Sequence, residues 1–154
     1  MISRVFALLL LISTPVWAQN ISCTDIDALI DQSETKFNAI QQESRHEHGG
    51  FKTTTILPEA EYCLIFEDPE KRTYQCTWAY PLGASDASST FERYAKDIGD
   101  CLDNRAIMIK DQAVNHPDTY SSYIYNLPKT EVRVTLKNKS KLKSTLVSVF
   151  VTGV

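Results

Sequence analysis

The sequence predicts an α+β two-layer sandwich, with two helices on one face of a mainly antiparallel sheet of about six strands. Three observations lead there. Two stretches place apolar residues at helical spacing, several others alternate apolar with polar residues as half-buried strands do, and the segment Leu57–Tyr80 recurs in outline as Leu127–Val151.

From Thr24 to about Arg45 the residues Ile26, Leu29, Ile30, Ser33, Phe37 and Ile40 recur at steps of three and four, one face of an amphipathic helix. Ser22 or Thr24 can cap it, and Asp25 and Asp27 suit the positive end of its dipole. Gly49-Gly50 ends it. The β-branched run Phe51–Leu57 reads as a first strand stopped by Pro58. Residues 61–67 alternate, Asp68-Pro69-Glu70-Lys71 has the composition of a type I turn, and Thr73–Tyr80 returns with Tyr74, Cys76, Trp78 and Tyr80 on one face. A second helix follows Gly83, capped by Ser85 or Asp86, with Ala87, Phe91, Tyr94, Ala95, Ile98, Cys101 and Leu102 as its stripe. Within Arg105–Asp118 the AIMI run reads as a short extra strand. Thr119–Asn126, Thr130–Lys137 and Ser144–Val151 read as three more, the last apolar enough to be central in the sheet.

Overlaying the two β units at an offset of 70 pairs Glu61 with Glu131, and Tyr62, Leu64 and Phe66 with Val132, Val134 and Leu136. Past the turn, an offset of 72 pairs Thr73 with Thr145, Tyr74 with Leu146 and Trp78 with Phe150. The pattern fits a tandem αβββ pseudo-repeat with halves 22–80 and 85–151, and fits equally a chance match between two hairpins of alternating faces. Units of a helix followed by three strands resemble those of secretion-chaperone-like proteins at the level of fold, a likeness that carries no function.

The chain of 154 residues has room for one domain, and residues 1–18 stand apart from it. One basic residue, Arg4, precedes an apolar run from Val5 to Ile12, and Val16-Trp17-Ala18 supplies a cleavage site, the layout of a secretory signal peptide. The run is too short to span a bilayer, and nothing later is long and apolar enough to do so. An exported protein, periplasmic or secreted, is the expectation, with 19–154 as a single disulfide-stapled domain. Its net negative charge argues against nucleic acid as a partner.

Export makes the four cysteines a disulfide framework with three connectivities. If each helix is pinned to its own strands, Cys23–Cys63 and Cys76–Cys101 form, because the second helix and the strand before it reach back by comparable lengths, roughly 20 Å or more. The alternative is Cys63–Cys76 across the hairpin with Cys23–Cys101 between helix ends. It sets the two hairpin cysteines on one strand face while Tyr62, Leu64 and Phe66 point to the other.

No catalytic or cofactor motif assigns an enzyme activity, and no cofactor is implied. His46, His48 and His116 form the one imidazole set able to hold zinc or copper, or to serve a small hydrolase. Solvated helix-end and turn positions are the plainer account of them. Charge asymmetry is more telling: residues 59–72 are mainly acidic, whereas 129–143 hold Lys129, Arg133, Lys137, Lys139, Lys141 and Lys143 against Glu131. Arg133, the lysines at 137, 139, 141 and 143, and the tyrosines Tyr120, Tyr123 and Tyr125 make a candidate contact surface. The expected function is a small binding or accessory protein, such as an inhibitor, immunity or envelope factor, acting on another envelope or secreted protein through a preformed surface. A metal-binding protein or hydrolase using the three histidines is the competing expectation.

Overall fold

The computed structural model describes residues 19–105, 107–111 and 119–153. The expected signal peptide 1–18 and His116 lie outside them. Helix α1 spans Cys23–Glu34, and strands β1 (Gln41–Arg45), β2 (Phe51–Thr53), β3 (Tyr62–Glu67) and β4 (Arg72–Pro81) follow. Helix α2 spans Ser85–Leu102, succeeded by β5 (Ile107–Asp111), β6 (Tyr120–Asn126), β7 (Thr130–Lys139) and β8 (Ser144–Gly153). Among the described residues the strands form one antiparallel sheet in the order β1-β2-β3-β4-β8-β7-β6-β5, so the α+β sandwich stands with two strands more than the six expected. A helix and then four strands occur twice, and the two runs meet where β4 pairs β8.

The first added strand comes out of the expected first helix. Ser22 caps α1, its hydroxyl accepting from the Asp25 amide at 3.1 Å, and burial follows the predicted stripe through Ile26, Leu29 and Ser33. The helix ends eleven residues early because Lys36 and Phe37 adopt left-handed backbone angles, φ 55° and 59°. Such angles are costly for side chains with a Cβ, and the cost is offset by dropping Phe37 into the core, where it is fully buried. The chain then leaves as β1, a polar edge strand whose sequence, QQESR, carries no strand signal of its own. The second addition, β5, is the AIMI strand, and it forms the other edge.

Both helices lie over the central strands, α1 against β8 and β4, α2 against β7 and β8, and they pack on each other. The helix-facing rows of the sheet are Ile65, Tyr74, Val151, Val132 and Tyr125, then Cys63, Cys76, Val149, Val134 and Tyr123. Trp78 and Val147 extend the core beneath Phe91, Tyr94 and Ile98 of α2. The Trp78 ring packs on Tyr94 with centroids 4.7 Å apart, and its indole N–H donates to the Pro58 carbonyl at 3.0 Å. β8 is central, as its unbroken apolar run implied.

These rows correct the overlay of the two β units. Cys63 and Ile65 face the helices in β3, and Val132 and Val134 do so in β7, so corresponding positions differ by an odd number. Offsets of 70 and 72 set residues from opposite sheet faces against each other, Leu64 against Val134 and Tyr74 against Leu146.

The preferred cysteine pairing, Cys23–Cys63 with Cys76–Cys101, is likewise corrected. The bridges join Cys23 to Cys101 and Cys63 to Cys76. The first follows from helix-to-helix packing, which brings the first turn of α1 to the last turn of α2 and adds an ion pair from Arg105 to Asp27 at 2.7 Å. The second follows from register, since Cys63 stands directly across from Cys76. Tyr62, Leu64 and Phe66 do point the other way, and β3 is apolar on both faces: Leu64 is only 1% exposed on the face turned away from α1 and α2. Two disulfides fit an oxidising compartment. Among the described residues, no helix is long and apolar enough to cross a membrane.

Candidate binding face

Strand alternation fixes what the sheet presents on the face that is free of helices among the described residues. Leu64, Gln75, Phe150, Arg133 and Ile124 stand side by side across β3, β4, β8, β7 and β6. The next row is Tyr62, Thr77, Ser148, Thr135 and Ser122, and the row after it holds Ala79, Leu146, Lys137 and Tyr120. A groove of about 460 Å³ runs over the middle of this face. Its floor is Thr73, Gln75, Thr135, Ser148 and Thr152, with Leu146 and Phe150 between them. Arg133, Lys137 and Lys139 of β7 line one flank with Glu131 and Tyr120, and Asp68 and Lys71 of the β3–β4 turn stand at the other.

Pairs of hydroxyls order the floor. Thr73 and Thr152 meet across β4 and β8 with Oγ atoms 3.0 Å apart, Thr77 and Ser148 meet at 3.1 Å, and the Gln75 amide donates to Thr77 Oγ1 at 3.0 Å. Each hydroxyl can donate and accept, so such a floor can match either polarity in a ligand.

Arg133 is held by its neighbours on the flank. Its Nε and Nη2 donate to one Glu131 oxygen at 3.1 and 2.7 Å, and it also hydrogen-bonds Tyr120. Burial opposes its charge, but the Glu131 carboxylate and the Tyr120 hydroxyl outweigh burial and hold its pKa above the ordinary arginine value. The guanidinium is therefore charged and held in place at the groove wall. Its Nε–Nη2 edge is taken by Glu131, so a ligand carboxylate or phosphate would meet the fixed charge through the remaining N–H groups of the planar guanidinium.

The structure divides the surface expected from the sequence. Arg133, Lys137, Lys139 and Tyr120 come together in the groove. Lys141 and Lys143 lie in the β7–β8 turn, where Lys143 takes a left-handed conformation and its carbonyl accepts from the Leu82 amide at 3.1 Å. Tyr123 and Tyr125 do not join the groove, because they occupy the opposite face of β6, where they line a separate cleft beside α2 with Lys96 and Asp100. The Tyr125 hydroxyl donates to the Ala95 carbonyl at 2.5 Å, and Tyr123 donates to Glu92 at 2.9 Å while its ring packs on Phe91 with centroids 5.3 Å apart. From Tyr120 to Tyr123 is three residues, an odd step that reverses the face.

Sequence reading missed Thr73, Gln75, Thr135, Ser148, Phe150 and Thr152. Their signal is the polar half of the alternation, Thr73-Gln75-Thr77 interleaved with Tyr74-Cys76-Trp78, a pattern that any solvated strand face shares.

His46 and His48 lie at the β1–β2 turn with ring centroids 4.9 Å apart, and both pack on Tyr62, at 5.4 and 4.8 Å. Among the described residues no group of three or more His, Cys, Asp and Glu gathers as a metal site. Comparison of the chain with family models, with curated proteins and with solved structures finds no match.

Proposed function

We propose that this is a small exported binding protein that recognises another envelope or secreted protein through the helix-free face of its sheet. One observation carries the reading. The uncovered face of a sheet whose other side is packed by two helices holds a groove with a hydrogen-bonding floor, a central phenylalanine and a flank of three cations. Bridged helices and a register locked by Cys63–Cys76 support a surface that binds without rearranging, which lowers the entropic cost of association. The two bridges also favour the exported setting, as does the leader-like N-terminal sequence.

The test compares proteins captured from an envelope extract by the wild type and by folded variants. A partner kept by Lys141→Gln and Lys143→Gln but lost by Phe150→Ala and Arg133→Gln supports the reading. Capture that all four variants leave unchanged rules out this face.

A further inference from the structure

We infer that the groove takes an extended acidic peptide segment of its partner, with Arg133 as the anchor for one carboxylate; this rests on the reading above. Position is the first reason. Arg133, Lys137 and Lys139 share one face of β7, so they stand along the flank at two intervals and then one interval of about 6.8 Å. An extended peptide repeats its same-side residues at that same interval, which lets acidic side chains at alternate positions keep step with the cations.

Chemistry is the second. A peptide lying flat offers N–H and C=O groups in alternation, and the hydroxyls of Thr73, Thr135, Ser148 and Thr152 with the Gln75 amide can pair with both. Phe150 and Leu146, half-buried in the floor, supply two apolar contacts about 14 Å apart on β8 with Ser148 between them, which suits separate side chains and not a continuous acyl chain.

Charge is the third. The chain as a whole is net negative at −3, yet with Arg133 and Glu131 set against each other the groove keeps Lys71, Lys137 and Lys139 against Asp68. A local field of opposite sign to the whole molecule selects for an acidic ligand and speeds its arrival.

The probe is a fluorescent alternating Glu-Thr peptide, titrated into the folded protein at low and moderate salt beside an alternating Lys-Thr peptide, polygalacturonate and phosphatidylglycerol vesicles. Saturable binding of the Glu-Thr peptide is expected, weakened by salt and by roughly tenfold in Arg133→Gln. Arg133→Lys should restore little, because it keeps the charge and loses the fork. Lys141→Gln should bind as the wild type does. Should Arg133→Gln fold poorly, amide shift changes in the wild type on adding the peptide must centre on Thr135, Ser148 and Phe150. No saturable binding, or equal binding by Arg133→Gln, overturns the inference. Binding of polygalacturonate or vesicles in place of the peptide, lost in Arg133→Gln, also overturns it but leaves the groove as the binding face. Only loss of every probe together with partner capture indifferent to Phe150→Ala removes both.

Discussion

Cys23 and Cys101, 78 positions apart in the chain, stand with Cα atoms 5.1 Å apart, joining the first turn of α1 to the last turn of α2. Cys63 and Cys76 are 13 positions apart. Loop-closure entropy assigns the longer bridge about 4.5 kcal/mol of stabilisation and the shorter about 3 kcal/mol. Replacing Cys23 and Cys101 by Ala should therefore lower the urea midpoint more than replacing Cys63 and Cys76. Equal or reversed losses would show that the hairpin bridge does more than restrict the unfolded chain. Peptide mapping of the unreduced protein should return the same two pairs.

Alkaline pH should destabilise the fold through its buried phenols. Burial raises Tyr94 and Tyr125 to about 12, helped at Tyr125 by Tyr123 and the nearby acids Asp100 and Glu92; at Tyr94 the Arg93 charge works in the other direction. Tyr74 is raised further, by burial and then by Asp25. Unfolded tyrosine loses its proton near pH 10, so above that the unfolded chain binds fewer protons than the folded one. This stabilisation is complete below about pH 10 and is lost as pH rises through about 12. Urea midpoints should fall steeply over that window, and less steeply in Tyr125→Phe.

Tyr120 and Tyr125 should separate binding from stability. Tyr125 is 5% exposed and tied to α2, so Tyr125→Ala should cost about 3 to 5 kcal/mol. Tyr120 lies half-buried on the groove side, and Tyr120→Ala should cost under about 1 kcal/mol while weakening the acidic peptide. Denaturant unfolding and peptide titration of both variants check this, and similar stability losses would contradict the facing of β6.

Gly50 precedes β2 where a side chain has no room. A Cβ there would lie 2.9 Å from Leu64 Cβ and 3.2 Å from the Phe66 ring. Because a Cβ cannot rotate away, Gly50→Ala should push β2 off β3 and cost about 1 to 3 kcal/mol. The change should register as a lower melting temperature and faster amide exchange in β1 and β2.

Much of the fold was legible because burial leaves a periodic trace. The stripe of α2 from Ala87 to Leu102, the strands β3, β4, β6, β7 and β8, and the central place of β8 are all written in which residues are apolar. The candidate site was legible by half. Arg133, Lys137 and Lys139 show as a charged run, but their partners Gln75, Ser148 and Phe150 come from β4 and β8, and only strand pairing sets them beside β7. β1 was illegible, since QQESR has no apolar alternation and joins the sheet by backbone pairing with β2 and by Arg45 stacking over the Phe51 ring at 4.2 Å.

By itself the sequence determined the α+β class, the two helical stripes, the even cysteine count and the sign of charge on each hairpin, because these depend on residue type and on repeats a few residues long. Tertiary structure decided where α1 stops, which cysteines pair, which face each tyrosine occupies and which residues share a groove. Each of those turns on contacts between residues far apart in the chain, and an error of one residue in register moves every side chain of a strand to the other face.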